Sequence, residues 1–179
     1  MLVLLGACSR KADVPDEKPM VFFAPLTVTN VPEVYKPLYL GNLPPDRIEA
    51  FRAALPYNSI ILERTTASGS NWSYRVVFHR TGRAEYEVFQ PKPQQGTGNI
   101  DLYTFARLCY VMDSGGFNDF QAKYRADPLE SAFCVVTAAA GKNRKTVADY
   151  GTIGPIQLWT IEQLIDGIRV RTDWKPVQK

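Results

Sequence analysis

The sequence is poor in the residue types that carry metal and nucleophilic chemistry. Its 179 residues include one histidine and three cysteines. With His79 alone, a multi-histidine metal site is excluded, and any imidazole acid–base role falls to one residue beside a turn. An exposed strand histidine accounts for it. Charge of one sign is scarce too: 21 basic against 18 acidic residues leave a net charge of +3. Lys142, Arg144 and Lys145 gather, but no basic stripe with interleaved aromatics accompanies them, so nothing implies nucleic acid. A solvated hairpin tip explains them. Gly96-Thr97-Gly98 and Gly115-Gly116 lack the strand–loop–helix setting of a phosphate cradle and read as loops. Asp113, Asp119, Asp127 and Asp149 lack metal-loop spacing, and surface and capping roles suffice. No catalytic residue, metal site or cofactor emerges, and no internal repeat.

What is present is ordinary for a folded chain. Composition is 45% hydrophobic and 22% charged, and the length suits one domain of roughly 100–150 residues plus a tail. A domain of that size buries about two thirds of its unfolded surface, enough for a core without a metal or several staples.

The stretch Tyr74 to Phe89 is the most informative. Tyr74, Val76 and Phe78 alternate with polar or solvent-side positions, as do Ala84, Tyr86 and Val88 with Glu85 and Glu87. Period two with one apolar face specifies two half-buried strands. A two-residue turn at Thr81-Gly82 would pair Phe78 with Glu85 and drive carboxylates into the core. A three-residue turn, Arg80-Thr81-Gly82, pairs Phe78 with Ala84, Val76 with Tyr86 and Tyr74 with Val88. It also places Gly82 at the left-handed position that glycine tolerates. On the opposite face it sets Arg75 against Glu87, worth about 0.2–1 kcal/mol.

Around this hairpin the chain reads in order. Prolines 19, 25, 32 and 37 chop the segment from Met20 to Leu40 into edge pieces and coil. Pro44 to Leu55 reads as a helix with Ile48, Phe51 and Leu55 on one face, ended by Pro56. Ser59 to Thr65 reads as a central strand, because Ile60, Ile61 and Leu62 run together. After Phe89, PKPQQGTG reads as a loop. Asp101 caps a helix bearing Leu102, Phe105, Cys109 and Met112, and Gly115-Gly116 ends it. Phe117 to Tyr124 reads as a helical turn or two, stopped by Asp127-Pro128. Ser131 to Ala139 and Lys145 to Tyr150 form a second hairpin about Gly141 to Arg144. Pro155 opens a last helix with an Ile161, Leu164, Ile165, Ile168 stripe, flanked by Trp159 and Trp174. The expected fold is α+β: a mainly antiparallel sheet built from hairpins, with two or three helices packed on one face.

Residues 1–8 read MLVLLGAC. The run Leu5-Gly6-Ala7-Cys8 resembles the lipobox of bacterial lipoproteins, although no basic stretch precedes it and the apolar segment, Met1 to Leu5, is shorter than the usual ~7–15 residues. The resemblance implies lipidation at Cys8 and a membrane partner reached through the lipid anchor. The location implied is the cell envelope, facing the periplasm or exterior, where an envelope protein is a further candidate partner. Residues 9–43 are then a proline-rich tether with edge segments, and 44–179 a single globular domain.

Arg64 to Tyr74 reads RTTASGSNWSY. With the hairpin that follows, it resembles a bacterial family of unknown function often found in lipoproteins, whose motif is Arg-Thr-x-Cys-x-Gly-x-Cys-Pro-x-Tyr. Arg64, Thr65, Gly69 and Tyr74 match in register. Ala67 and Asn71 stand at the cysteine positions and Trp72 at the proline, so whatever that cysteine pair does in relatives, this chain cannot do. The family brings no assigned activity.

Two readings stand for the body cysteines. Cys109 and Cys134 pair into a disulfide tying helix to sheet, worth about 2–4 kcal/mol, or they are separately buried thiols. Nothing brings either to His79 as a nucleophile pair. Tyr35, Tyr39, Tyr57, Trp72 and Tyr103 lie in or near loops, where aromatics serve as rim packing or line a binding surface. Ligand-binding residues are otherwise unspecified. The leading function is a lipid-anchored binding or structural module without catalysis. Its competitors are an enzyme or small-molecule binder with a site assembled from scattered residues, and a cytosolic domain whose amino terminus only imitates a lipobox.

Overall fold

Alternation along the strands decides the architecture. In the computed structural model, which describes residues 30–39, 43–65, 73–125 and 132–177, three strands carry the central inward face. They are β1 (Ser59–Thr65), β2 (Ser73–His79) and β6 (Phe133–Ala140). Register aligns Ile60 with Phe78 and Ala138, Leu62 with Val76 and Val136, and Arg64 with Tyr74 and Cys134. All of these except Arg64 are buried. Ile61 faces the other way, paired with Val77, which is how three consecutive apolar residues fit one strand. The central placement expected of β1 holds, since it lies between β2 and β6.

The full sheet adds β3 (Arg83–Gln90), β4 (Gln94–Asn99), β5 (Lys123–Arg125), β7 (Asn143–Tyr150) and β8 (Lys175–Pro176), in the order β5-β7-β6-β1-β2-β3-β4-β8. Every pairing is antiparallel except β5 with β7. Among the described residues three α-helices, α1 (Pro45–Ala54), α2 (Leu102–Ser114) and α3 (Ile156–Arg171), complete an α+β fold. Residues 32–179 form one compact unit. Of the preceding unit, 1–31, only Asn30 and Val31 are described. The lipobox with Cys8 and most of the tether therefore lie outside the described residues.

The three-residue turn is present as derived: Phe78 faces Ala84, Val76 faces Tyr86, Tyr74 faces Val88, and Gly82 has φ +94°. Arg75 faces Glu87 in register. Its ion pair, however, runs to Glu63 on the other neighbour at 3.3 Å, and Glu87 instead accepts from Gln95 Nε2 at 2.9 Å. Helix starts follow the sequence signals. Pro45 occupies the first turn of α1, and Leu55 turns extended ahead of Pro56. Asp101 caps α2 by accepting from the Thr104 amide at 2.9 Å.

Four expectations need correction. The stretch after Phe89 is not all loop: residues 94–99 form β4, paired with β3 along its length. Its glycines disguised it. Gly96 and Gly98 lie under the returning chain, where a Cβ on Gly98 would stand 2.7 Å from Thr172 Cγ2 and 3.0 Å from the Asp173 carbonyl. Phe117 to Tyr124 makes only a short 3-10 turn, Phe117–Asp119, before entering β5. The second hairpin turns more tightly than expected, since Ala140 already pairs with Asn143. Finally, the proline-rich stretch before residue 44 is partly structural. Glu33–Leu38 is a 3-10 turn whose Tyr35 is 1% exposed, stacked edge-on against Tyr110 of α2 with ring centroids 5.1 Å apart.

Because a Cβ at Gly98 meets backbone and a short side chain, Gly98→Ala is expected to destabilise by about 1–3 kcal/mol through displacement of the tail. Gly141→Ala meets nothing within 4 Å and should cost about 1 kcal/mol or less, through its positive φ alone. Urea unfolding of the two variants against the parent checks the ordering.

Candidate functional site

The inward face becomes polar at one end of β1. There Arg64 and Tyr74, partners across β1 and β2, both reach carboxylates on α3. Arg64 Nη2 lies 3.1 Å from Asp166 Oδ2 and 3.5 Å from Glu162 Oε2. The Tyr74 hydroxyl donates to Asp166 Oδ1, and Arg169 Nε donates to the same oxygen at 3.2 Å. Asp166 thus accepts from one tyrosine and two arginines. Helical spacing explains the set: residues 162, 166 and 169 are four and three apart and share one face of α3. The Arg169 guanidinium lies over the Tyr74 ring at 4.4 Å and the Tyr86 ring at 5.6 Å. Tyr86 packs on Trp174 at 5.2 Å, and Trp174 Nε1 donates to the Arg169 carbonyl at 2.9 Å. A polar cluster grades into an aromatic ladder that seats the chain beyond α3.

Glu162 is the unusual member, fully buried in the helix–sheet interface. Its Oε1 has no hydrogen-bond partner among the described residues, and neither has Arg64 Nε. Burial above all pushes its carboxyl up to about 7, with Asp149 and Asp166 adding to the rise against the pull of Arg64 and the Cys134 thiol. Asp149 is 2% exposed, so the surface or capping role expected of it is corrected. Its carboxylate accepts from the Ile153 and Gly154 amides at 3.0 and 3.1 Å and ties the β7–α3 loop down. Gly154 is required there, because a Cβ would meet Asp149 Oδ2 at 2.9 Å.

The remaining sequence candidates disperse. Cys109 and Cys134 are both buried free thiols, so the disulfide considered for them is not formed. They occupy separate settings: Cys109 on α2 beside Asp113, and Cys134 on β6 beside Glu162 and Arg64. Burial raises both thiols well above the ordinary range, which keeps them protonated and unreactive at neutral pH. His79 sits half-exposed at the end of β2, its Nε2 3.1 Å from Glu85 Oε1.

The loop aromatics do not form one surface. Tyr35 and Tyr57 are buried and both donate to Asp113, Tyr57 at 2.7 Å. Tyr103 accepts from the Leu43 amide at 3.0 Å, Tyr39 is exposed against Tyr110, and Trp72 lies outside the described residues, with Ala67, Gly69, Asn71 and Asp127. Lys142 and Arg144 are exposed at the second hairpin tip, while Lys145 donates to the Phe120 carbonyl at 2.6 Å. Among the described residues no three histidine, cysteine or carboxylate side chains gather to hold a metal. The residues sequence reasoning missed are Glu162, Asp166 and Arg169. Their signal was present: acidic residues at 162 and 166 interrupt the apolar stripe at helical spacing, on a face that had to meet the sheet.

An α+β sheet domain whose polar cluster joins the end of β1 to the last helix is what fold and site define. Residues 58–169 match a family described as a domain of unknown function (DUF6438), and the chain belongs to that family. The matched stretch contains Arg64, Tyr74, Glu162, Asp166 and Arg169, and stops short of Trp174. No curated protein matches the chain.

Two outcomes follow from this geometry. Glu162 binds its proton more tightly folded, at about 7, than in its ordinary state at 4.5. Its contribution to stability is therefore complete below pH ~4.5 and is lost as pH rises through 7, by about 2–3 kcal/mol. Glu162→Gln should remove that part of the slope, seen as a parent-minus-variant difference in unfolding free energy between pH 5 and 8. Alkylation without reductant should leave Cys109 and Cys134 unlabelled in the native protein and label both after denaturation. Two unlabelled cysteines in the denatured chain would instead mean a disulfide.

Proposed function

We propose that this protein is a lipid-anchored module of the cell envelope that binds rather than catalyses. Cys8, at the end of the Leu5-Gly6-Ala7-Cys8 run, receives the lipid, and the body faces the periplasm or exterior. The observation that supports a non-catalytic role is the fate of Arg64 and Tyr74, the two ends of the motif. Both terminate on Asp166 of α3, so their polar groups hold the fold together instead of facing a substrate. Burial also keeps the Cys109 and Cys134 thiols and the Tyr74 hydroxyl in their protonated forms. Several acyl chains, at about 0.8 kcal/mol per buried methylene, would hold such a body stably at a membrane.

A second reading, an acid–base enzyme or small-molecule binder, is favoured by one observation: burial pushes the Glu162 carboxyl up to about 7, and its Oε1 has no hydrogen-bond partner among the described residues. It is fully buried, so a substrate would first have to part α3 from the sheet.

Intact mass of the membrane-fraction protein tests the leading reading. Loss of residues 1–7 with added acyl mass is the expected result, and Cys8→Ser should abolish both the acyl mass and the membrane association. A full-length, unacylated chain in the soluble fraction would overturn it.

A further inference from the structure

The sheet face turned away from Leu62 and Val136 changes character at one edge. Ile61 faces that way, and the register carries the same face through Thr137 to Thr146, and hence to Arg144 and Tyr150 on β7 and Phe133 on β6. Lys123 and Arg125 of β5 pair with Ala148 and Tyr150, so they share it. Lys123, Arg125 and Arg144 are exposed, as is Lys142 at the hairpin tip. At ~3.3 Å per strand residue they mark a stripe about 20 Å long. We propose that this edge is a docking surface for an anionic phospholipid bilayer.

The charge there is uncompensated. Elsewhere on the same face the arginines are matched, Arg75 by Glu63 and Arg83 by Glu85. The four cations of this edge have no carboxylate partner among the described residues. Strands β5, β6 and β7 hold a single carboxylate, Asp149. It pairs with Cys134 on the core face and is taken up by the Ile153 and Gly154 amides. Lys145, one residue out of phase with Arg144, turns instead to the Phe120 carbonyl. Unmatched positive charge on an exposed sheet selects an extended anionic partner, and each cation close to an anionic bilayer strengthens attachment about fivefold.

Other anionic or extended partners fit less well. Single-stranded nucleic acid needs open ring faces on which bases stack. Tyr150 is flanked on both sides: Phe133 packs against it from β6 at 5.5 Å with 32° between the rings, and Lys123 Nζ lies 4.9 Å from its centroid on the β5 side. A second copy would bring the same positive edge to itself and be repelled. The half-exposed Phe133–Tyr150 pair beside cations suits the headgroup level of a membrane, where aromatic rings, lysine and arginine gather. The choice of a bilayer over an acidic protein rests on the lipid-anchored reading. Between Cys8 and Asn30 the chain spans at most about 75 Å, so an anchored body stays within reach of the bilayer and a weak surface suffices.

The test uses the full chain carrying Cys8→Ser, so that no acyl chain contributes, and vesicles of equimolar phosphatidylglycerol and phosphatidylcholine. Co-sedimentation with these vesicles is expected, and none with pure phosphatidylcholine. Release is expected when salt is raised to about 1 M, where the Debye length falls to about 3 Å. Arg144→Gln and Lys142→Gln should each weaken partitioning about fivefold, without changing Tm. Arg47→Gln, which removes an exposed cation from α1, should leave it unchanged. No co-sedimentation with the anionic vesicles overturns the proposal. So does a loss in Arg47→Gln as large as that in Arg144→Gln, which would reduce the effect to net charge. Binding of polyglutamate or of a single-stranded oligonucleotide by a chain that the vesicles leave in solution overturns it too, in favour of that partner. A negative vesicle result beside an acylated Cys8 would strike the surface and leave the anchor. Co-sedimentation by a chain whose native Cys8 proves unacylated would strike the anchor and leave the surface.

Discussion

The position of α3 on the sheet depends on one carboxylate. Asp166 gathers the Tyr74 hydroxyl and both Arg64 and Arg169, so two neighbouring strands and the helix's own last turn converge on it. Apolar packing of Ile161, Ile165 and Ile168 supplies most of the attraction, yet such packing is non-directional and would tolerate small slides along the helix axis. Charge-assisted hydrogen bonds have narrow geometry and do not. The helix therefore owes its adhesion to isoleucines and its register to Asp166.

Glu162 complicates this arrangement. A carboxyl fully inside the interface, one turn before Asp166, faces Arg64 at 3.5 Å and leaves an oxygen without a partner among the described residues. A well-packed leucine would suit adhesion better, since buried ionisable groups seldom add stability over apolar ones of the same size. Its presence beside Cys134 and Asp149 concentrates three titratable groups where the motif strand ends. That concentration separates this junction from an ordinary helix–sheet contact.

Much of this was legible in the amino-acid order. The register of β2 and β3 followed from refusing to bury Glu85 and Glu87, and the helix starts followed from Pro45, Asp101 and Pro155. Strand β4 was not legible, because QQGTGN has neither alternation nor β-branched bulk beyond Thr97. It is a strand through its pairing with β3, and its glycines make room for the segment Thr172 to Trp174, a distant approach that a local pattern cannot show. The same limit hid the site. Arg64 and Tyr74 could be picked out by resemblance, but their acceptor lies some ninety residues on, and only the pairing of β1 with β6 brings α3 to them. Tyr35 and Tyr57 looked like loop aromatics because nothing nearby revealed that Asp113 of α2 would take both hydroxyls.

The place of β1 has a consequence for how the chain assembles. Strands β2, β3 and β4 join through tight local turns, and β6 and β7 through another, so each side of the sheet can form from short-range contacts in microseconds. The seam between them is different. Thr65 pairs with Phe133, and closing that contact requires looping out everything from residue 66 to 132, α2 included. Loop closure of that span costs entropy before any contact repays it. The middle of the sheet, the most buried part of the finished protein, is thus the part whose formation must wait for the chain's two halves to meet.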